Sequence, residues 1–442
     1  MGQLSYMKWM PVGIAAVLHF LVDGLCVCML YLMAEKQHGA IDLTAMFLTY
    51  NVLAFMTQPL TGWWLDSLRN RNVAFVLAAG FLAAATVLQA VTHPFDSSSP
   101  LPFFASSVLL GIGNSLFHVW GGKLTAVQTA SDIRALGIFV SPGVLGLTVG
   151  ILYASWWMAA VMLTLIILLG LIPLRMPSAT GEVRTSSPPL PKPVTQTGFW
   201  LLVILTFVLM RSFVGEMVPF GMEKTSLGLL LLAATAMAGK VLGGWLARWW
   251  GISPAIAVCL GIPAMYLMWR DAGNIQLLPI AVAVFAINCT MPMTLYLANR
   301  LLPGREGLSF GLLAAVLIPG YLMAHNLHLS PDHNFMLSAL LLTITIELGM
   351  LMLMGEKRRD VLIGSVAVNV LTNVPLNYFL LPYAGNMAYL AVGELTVLFV
   401  EMLWYFYFVR QWQRAAIYSL LCNVTSFLVG VLIQYLIYSP IN

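Results

Sequence analysis

Apolar runs of about twenty residues follow one another along almost the whole chain, and this is the length that an α-helix needs to cross a bilayer. Of the 442 residues, 60% are hydrophobic and only 9% are charged, a composition that excludes an ordinary soluble globular protein. The runs are continuous, whereas the strands of a membrane β-barrel would alternate apolar and polar residues. The sequence therefore predicts an all-α polytopic membrane protein.

The apolar runs predict fifteen transmembrane spans. They cover roughly residues 9–34, 43–64, 73–92, 102–124, 134–154, 156–174, 198–220, 226–247, 253–269, 276–299, 306–325, 334–354, 360–382, 386–409 and 415–438.

The distribution of basic residues sets the orientation. With the N-terminus inside, sixteen of the 21 lysines and arginines fall on the cytoplasmic side, three fall outside and two lie within spans. A miscounted span would invert every later loop and remove this asymmetry. We therefore expect the N-terminus inside and the C-terminus outside. The sequence has the general look of a protein of the bacterial cytoplasmic membrane.

The longest break between spans, residues 175–197, is rich in proline, serine and threonine and reads as a flexible cytoplasmic linker. Six spans precede it in residues 1–174, and six follow in residues 198–355. Three further spans, in residues 356–442, come after the basic cluster EKRRD. Two sets of six joined in this way predict two bundles related by an axis along the membrane normal, with three helices appended.

Ionisable residues inside the first and seventh spans mark a candidate site. Such groups are costly in hydrocarbon and normally face a bundle interior or a watery cavity. His19 and Asp23 are four residues apart and share one helix face, either as a proton-handling unit or as a buried pair that only fixes packing. Arg211 lies at a similar depth in the seventh span and is expected to be the counter-ion of Asp23 or a clamp for a substrate anion. Glu216 lies one turn further out.

His118, Lys240 and Asn288 belong to the same candidate cavity. His118 of the fourth span is either a packing residue or part of a gate or proton relay. Lys240 of the eighth span lies deep enough to need a partner or water, and Glu347 of the twelfth span is a similar case. Asn288 sits among polar residues and a proline in the tenth span, which fits a kink that lines the cavity or simple interhelical contact.

A motif follows the second span. Gly62 allows close helix approach, and Asp66 with Arg69 and Arg71 provides opposite charges at the cytoplasmic end. This stretch resembles the signature between spans two and three of the major facilitator superfamily. The resemblance implies that Asp66, with Arg69 or Arg71, latches a cytoplasmic gate during alternating access.

The fourth and fifth spans narrow this resemblance. The stretch LFHV at 116–119 and the glycine-rich stretch at 134–146, together with His19 and Asp23, resemble the fosmidomycin-resistance type of drug exporter within that superfamily, over roughly residues 9–355. The resemblance implies proton-coupled efflux of a small amphiphilic or anionic compound, with protons and the lipid bilayer as the other partners.

The appended helices carry polar residues at matching depths, so a polar seam through this small bundle is expected. Hydrogen bonds that hold the helices together, at about 1 kcal/mol each, a docking unit for a membrane partner and a second polar pathway all remain open. The alternative function is therefore a transporter-shaped receptor or assembly factor that docks partners through its last three helices. The seam residues are Asn369, Asn373, Asn377, Glu394, Glu401 and Asn423.

Enzymatic function is not expected. The pattern G-x-S-x-G occurs around Ser309, but it opens an apolar helix, whereas a hydrolase elbow needs a strand, a turn and a helix. The sequence has no Walker A motif, no HExxH and no Cys/His cluster, so neither a cofactor nor a metal is predicted. The five cysteines fall inside apolar runs, and the net charge of +4 comes from loops, so nucleic acid is not an expected partner.

Overall fold

The computed structural model describes residues 2–35, 40–68, 70–92, 101–175, 194–219, 222, 224–270, 276–326, 331–380 and 387–438. All regular secondary structure in this part of the chain is helical. The α-helices are α1 Gly2–Ala34, α2 Ala40–Asn51, α3 Gln58–Ser67, α4 Asn72–Thr92, α5 Leu101–Thr129, α6 Ile133–Val140, α7 Gly143–Leu152, α8 Trp156–Arg175, α9 Val194–Met217, α10 Ser226–Trp250, α11 Ile252–Arg270, α12 Leu277–Leu301, α13 Glu306–Ala315, α14 Leu317–Asn326, α15 Pro331–Leu353, α16 Arg359–Leu380, α17 Met387–Val409 and α18 Trp412–Tyr438.

Many of these helices are suited to a bilayer. Eight described segments are long and apolar enough to cross a membrane, and five further described segments are apolar helices of 10–17 residues. The protein is therefore an all-helical integral membrane protein, and the count of fifteen spans stays a prediction. The eight longer segments are Trp9–Ala34, Asn72–Thr92, Leu101–Thr129, Ile133–Leu152, Trp156–Leu174, Trp200–Met217, Ser226–Trp250 and Leu277–Leu301.

Three of the predicted spans are interrupted helices. The second span consists of α2, a π-helical segment Val52–Met56 and α3, which begins next to Pro59. The fifth span breaks at Ser141 and Pro142 between α6 and α7. The eleventh breaks at Val316 between α13 and α14. Proline explains the first two breaks, since it has no N–H to donate and its ring clashes with the preceding turn.

The described residues fall into two units. The first comprises Met1–Phe213, Glu223–Trp245 and Asn288–Met323. Its centre is α1, which packs against α5, α6, α7 and α8. A Cβ added to Gly146 would collide with the main chain of Phe20 on α1. The glycine therefore allows the backbones of α7 and α1 to lie closer together than any side chain at this position would permit.

Glycines also join α3 to α13 within this unit. A Cβ on Gly62 would collide with the main chain of Gly307, and one on Gly311 would collide with that of Gln58. Ser309 between them is fully buried in α13, and its hydroxyl donates to the carbonyl of Ala298 at 3.4 Å. Close helix packing therefore accounts for the G-x-S-x-G pattern.

The second unit comprises Val214–Met222, Leu246–Ile287 and Ala324–Asn442. Within it, α15 packs against α11, α16 and α18, and α17 closes the group by packing against α16 and α18. The last three helices therefore share a continuous packed interior with α15.

The turn between α15 and α16 is held by an ion pair. Gly355 ends α15 with a φ of +81°, and the N–H of Glu356 bonds to the carbonyl of Leu351 at 2.9 Å, which is the Schellman pattern. Burial alone would raise the pKa of Glu356, but hydrogen bonds from Arg358 and from the hydroxyl of Tyr418 outweigh it and lower the pKa to about 2. Glu356 is therefore a permanent anion at neutral pH.

Candidate functional site

The two ionisable residues of α1 meet a histidine of α5. Nε2 of His19 lies 3.2 Å from Oδ2 of Asp23, one helical turn away, and Nε2 of His118 lies 3.3 Å from Oδ1 of the same carboxylate. The three side chains are only 7–9% exposed. We call His19, Asp23 and His118 the carboxylate–histidine cluster.

Asn114 is a fourth member of this site that the sequence reasoning missed. Its amide nitrogen donates to Oδ1 of Asp23 at 3.2 Å and lies 3.7 Å from the sulfur of Cys26. It precedes His118 by one turn of α5, so an i, i+4 polar pair in the fourth span was the available signal. The amide gives Asp23 a neutral donor that no change of pH removes.

The hydrogen bonds of the two imidazoles determine where their protons lie. Nδ1 of His19 bonds to the carbonyl of Phe139 at 2.8 Å, and Nδ1 of His118 bonds to the carbonyl of Asn114 at 2.9 Å. A carbonyl only accepts, so both Nδ1 atoms carry hydrogen. A neutral ring then has a bare lone pair on Nε2, yet the two Nε2 atoms lie 2.9 Å apart. A hydrogen bond at this distance requires an additional proton on one of them.

The surroundings of the cluster are close and largely apolar. Gly143, the first residue of α7, has no room for a side chain, because a Cβ would lie 2.5 Å from Nε2 of His19 and would also collide with Asp23. The ring of His19 faces Phe117 and Phe139 at centroid distances of 6.1 and 5.0 Å. A charge exchanged here is therefore felt strongly, since little water screens it.

The cluster also has the donor types of a metal site, because its ligand atoms all lie within 4.8 Å of one another. The separation of the two Nε2 atoms, 2.9 Å, is a hydrogen-bond distance. It is shorter than the roughly 3.3 Å that two nitrogens bound tetrahedrally to zinc at about 2.05 Å would keep. The arrangement fits a shared proton better than zinc.

Arg211 does not pair with Asp23, although the sequence suggested it as the counter-ion. The two histidines occupy that place instead, because α5 brings His118 directly to the carboxylate. Among the described residues, Nε of Arg211 is buried without a hydrogen-bond partner. Lys240 lies within electrostatic range of both Arg211 and Asp23. Lys240 therefore links the cluster electrostatically to Arg211 within the first unit.

The remaining cavity candidates are less informative. Asn288 is half-buried in α12, next to Cys289, whose main chain is approached so closely by Gly243 of α10 that a Cβ would not fit. Glu216 is half-buried and belongs to the second unit.

Asp66 of the predicted gate is bound by groups that the motif does not contain. Its side chain is 1% exposed and lies 3.0 Å from the ammonium of Lys123 on α5. Its two oxygens accept hydrogen bonds from the N–H groups of Gly307 at 3.0 Å and Leu308 at 2.9 Å. These are the free donors at the start of α13, so Asp66 caps a helix from another part of the chain.

The expected partners of Asp66 were Arg69 or Arg71. Arg69 lies outside the described residues, and the ion pair with Arg71 is not formed. The reason is local, since α3 ends at Ser67 and Leu68 is extended, so Arg71 does not continue the helix that carries Asp66.

The appended helices contain part of the expected seam. The amide of Asn369 donates to Oε2 of Glu347 at 2.7 Å, and that of Asn423 donates to Oε2 of Glu401 at 2.5 Å. The second pair joins two of the seam residues that were expected at matching depths. The side chains of the other seam residues lie outside the described part of the chain: Asn373, Asn377 and Glu394.

Comparison with solved structures identifies the fold. A crystal structure of the E. coli fucose:proton symporter FucP matches with a TM-score of 0.57 at 10% identity, over 75% of this chain and 96% of that chain. A structure of the major facilitator superfamily transporter FucP in the outward conformation matches with a TM-score of 0.58 at 11% identity, over the same shares. The chain therefore has a major-facilitator-like fold.

A third structure, of a bacterial homologue of the iron transporter ferroportin in an outward-facing state, matches with a TM-score of 0.40 at 14% identity, over 95% of this chain and 99% of that chain, which is too low to support an argument. No protein-family model matches the sequence, and no curated protein matches it. The resemblance to a drug-exporter subtype therefore stays a prediction.

Proposed function

We propose that the protein is a secondary active transporter that works by alternating access and exports a small anionic or amphiphilic compound in exchange for protons. The fold supports the transporter class, and FucP, which shares that fold, is described as a proton symporter. The finer assignment depends on the chemistry of the carboxylate–histidine cluster.

The observation that carries the proposal is the contact between the two Nε2 atoms of His19 and His118 at 2.9 Å. The contact exists only while one proton lies between them or on one of them. When that proton leaves, two lone pairs and the carboxylate of Asp23 face one another and repel. Loss of a charge-assisted hydrogen bond costs about 1.5–3 kcal/mol, enough to change a conformational equilibrium by about 10–150-fold. Proton binding thereby biases the packing of α1 on α5.

The cations near the cluster support an anionic substrate. A buried guanidinium nitrogen without a partner is unfavourable unless a ligand supplies the acceptor. Arg211 has such a nitrogen in Nε, and Lys240 lies within its electrostatic range. We assign Arg211 the role of anion clamp, and an anion bound there competes with Asp23 for positive charge. That competition is how one site can couple substrate to protons.

The test is proton movement in proteoliposomes with an imposed pH gradient and a pH-sensitive dye inside. The probes are organic anions and amphiphilic drugs, with fosmidomycin among them, and a chelator excludes metal effects. We expect substrate-dependent proton movement in the native protein, and its loss in Asp23→Asn. Asp132→Asn is the matched control, since Asp132 pairs with Arg134 and does not contact the cluster.

Two results would overturn the proposal. Coupled flux that survives in Asp23→Asn would remove the cluster from the mechanism. Substrate movement without proton movement in the native protein would remove the coupling. The alternative of a receptor that docks partners through the last three helices predicts no movement of any probe, and it stays a prediction from the sequence.

A further inference from the structure

Two glutamates in the second unit are buried between apolar helices. Glu347 of α15 and Glu401 of α17 are both 0% exposed. Each receives one amide donor, from Asn369 and Asn423 respectively. Carboxylates in such positions are rare, because an unpaired charge is expensive in hydrocarbon.

The neighbouring helices bring both glutamates into one enclosure. On α16, Asn369 binds Glu347 and Thr372, one turn later, reaches Oε1 of Glu401 at 3.4 Å. On α18, the thiol of Cys422 lies 3.7 Å from the main-chain carbonyl of Glu347, and the next residue, Asn423, binds Glu401. Each flanking helix therefore contacts both glutamates, and the two carboxyl groups act on each other electrostatically.

One oxygen in this enclosure has no partner. Oε1 of Glu347 is fully buried and accepts no hydrogen bond from any described residue. Among the described residues, the titratable groups that interact electrostatically with Glu347 are Glu401, Tyr405 of α17 and Cys422 of α18. None of these is a cation. On its other side α15 meets α11 through Thr345, which contacts Ala257 and Gly261.

Two adjacent carboxylates in a low-dielectric site cannot both be ionised. One solution is a metal ion, but a hard cation requires a shell of about six oxygen atoms. Here the nearest polar groups are the amide nitrogens of Asn369 and Asn423, which point donors at the carboxylates and would repel a metal. The other solution is a proton on the orphan oxygen of Glu347.

We propose that Glu347 and Glu401 form a second proton-binding site, in which the pair holds one proton at neutral pH. This site goes beyond the proposed coupling site, which lies in the first unit and uses different chemistry. It gives the appended helices a ligand of their own, which is the proton held by the two glutamates.

The test uses N,N′-dicyclohexylcarbodiimide, which reacts with protonated carboxyl groups in apolar surroundings and not with carboxylates. The full-length protein is labelled in lipid nanodiscs across a pH series, with and without sodium ions, and the labelled peptides are identified by mass spectrometry. We expect label on Glu347 or Glu401 at neutral pH, its loss at high pH and no effect of sodium. Glu356 is the internal control, since Arg358 keeps it ionised.

Absence of label on both glutamates at neutral pH would overturn the proposal, and protection by sodium would show that the site takes a metal cation instead. A second readout is the infrared absorption of a protonated carboxyl group. Glu347→Gln should abolish the band of the pair, and Glu401→Gln should do the same if the first variant does not fold. A band unchanged in both variants would also overturn the proposal.

Discussion

The contact of Asp66 with the start of α13 makes the effect of one substitution calculable. Asp66→Asn keeps the shape of the side chain but removes its charge. It leaves one oxygen to serve the two N–H groups of Gly307 and Leu308, and it ends the ion pair with Lys123. Lys123 keeps its hydrogen bond to the carbonyl of Leu65 at 3.0 Å, so its ammonium is not left without a partner.

The cost follows from three contributions. Loss of a helix cap costs about 1 kcal/mol. Loss of a negative charge beside the N-terminus of a helix adds about 0.3–1 kcal/mol, and more where the site is buried. The ion pair adds about 1 kcal/mol, the upper end of the range for exposed pairs, because Lys123 is only 13% exposed. Together they amount to about 2–3 kcal/mol, which shifts the equilibrium between molecules with α3 and α13 in contact and molecules with the two helices apart by about 30–150-fold.

The assay is a distance measurement by electron–electron double resonance between spin labels at Ser67→Cys and Arg305→Cys. Both residues are exposed, whereas all five native cysteines are buried and do not compete for the label. We expect Asp66→Asn to shift the distance distribution from short to long.

Asp132→Asn provides the matched control for this measurement. Asp132 also caps a helix and pairs with a cation, but both contacts are with Arg134 of the adjacent α6. This control should leave the distances unchanged. An unchanged distribution in Asp66→Asn would refute the reasoning, because it would show that the cap does not hold the two helices together.

Two further predictions concern stability. Gly146→Leu should lower the melting temperature, because the new side chain would be forced against the main chain of Phe20 at a cost of about 1–3 kcal/mol or more, whereas Gly80→Leu, with nothing within 4 Å, should not. The lowered pKa of Glu356 predicts a contribution to stability that is complete above pH 4.5 and lost as the pH falls towards about 2. Calorimetry of the native protein should show this acid-dependent loss, and Glu356→Gln should lack it.

The pairing of His19 with Asp23 could be predicted from the sequence because helical geometry alone brings residues four apart together. His118, which is 99 residues after His19, and Asn114, which is 91 residues after Asp23, reach the same carboxylate from α5. No spacing rule covers such separations. The histidine was visible as a polar residue in an apolar run, whereas the asparagine was inconspicuous.

Asp66 shows a different limit. Its position in a motif was visible, but two of its partners are main-chain N–H groups, which every residue except proline carries and which leave no signal in the sequence. Helix interruptions were similarly hidden. Pro142 stands inside the predicted fifth span, but a proline alone does not decide where a helix stops, because Pro263 and Pro292 lie within the continuous helices α11 and α12.

The break at Ser141 and Pro142 has a mechanical consequence. Phe139 belongs to the last turn of α6, whose carbonyls have no N–H partner within that helix. The imidazole of His19 binds one of them, and Gly143 starts α7 directly against His19 and Asp23. The same ring thus touches the backbone on both sides of the discontinuity. Displacement of that ring when a proton binds or leaves His19 on α1 would therefore change the angle between α6 and α7.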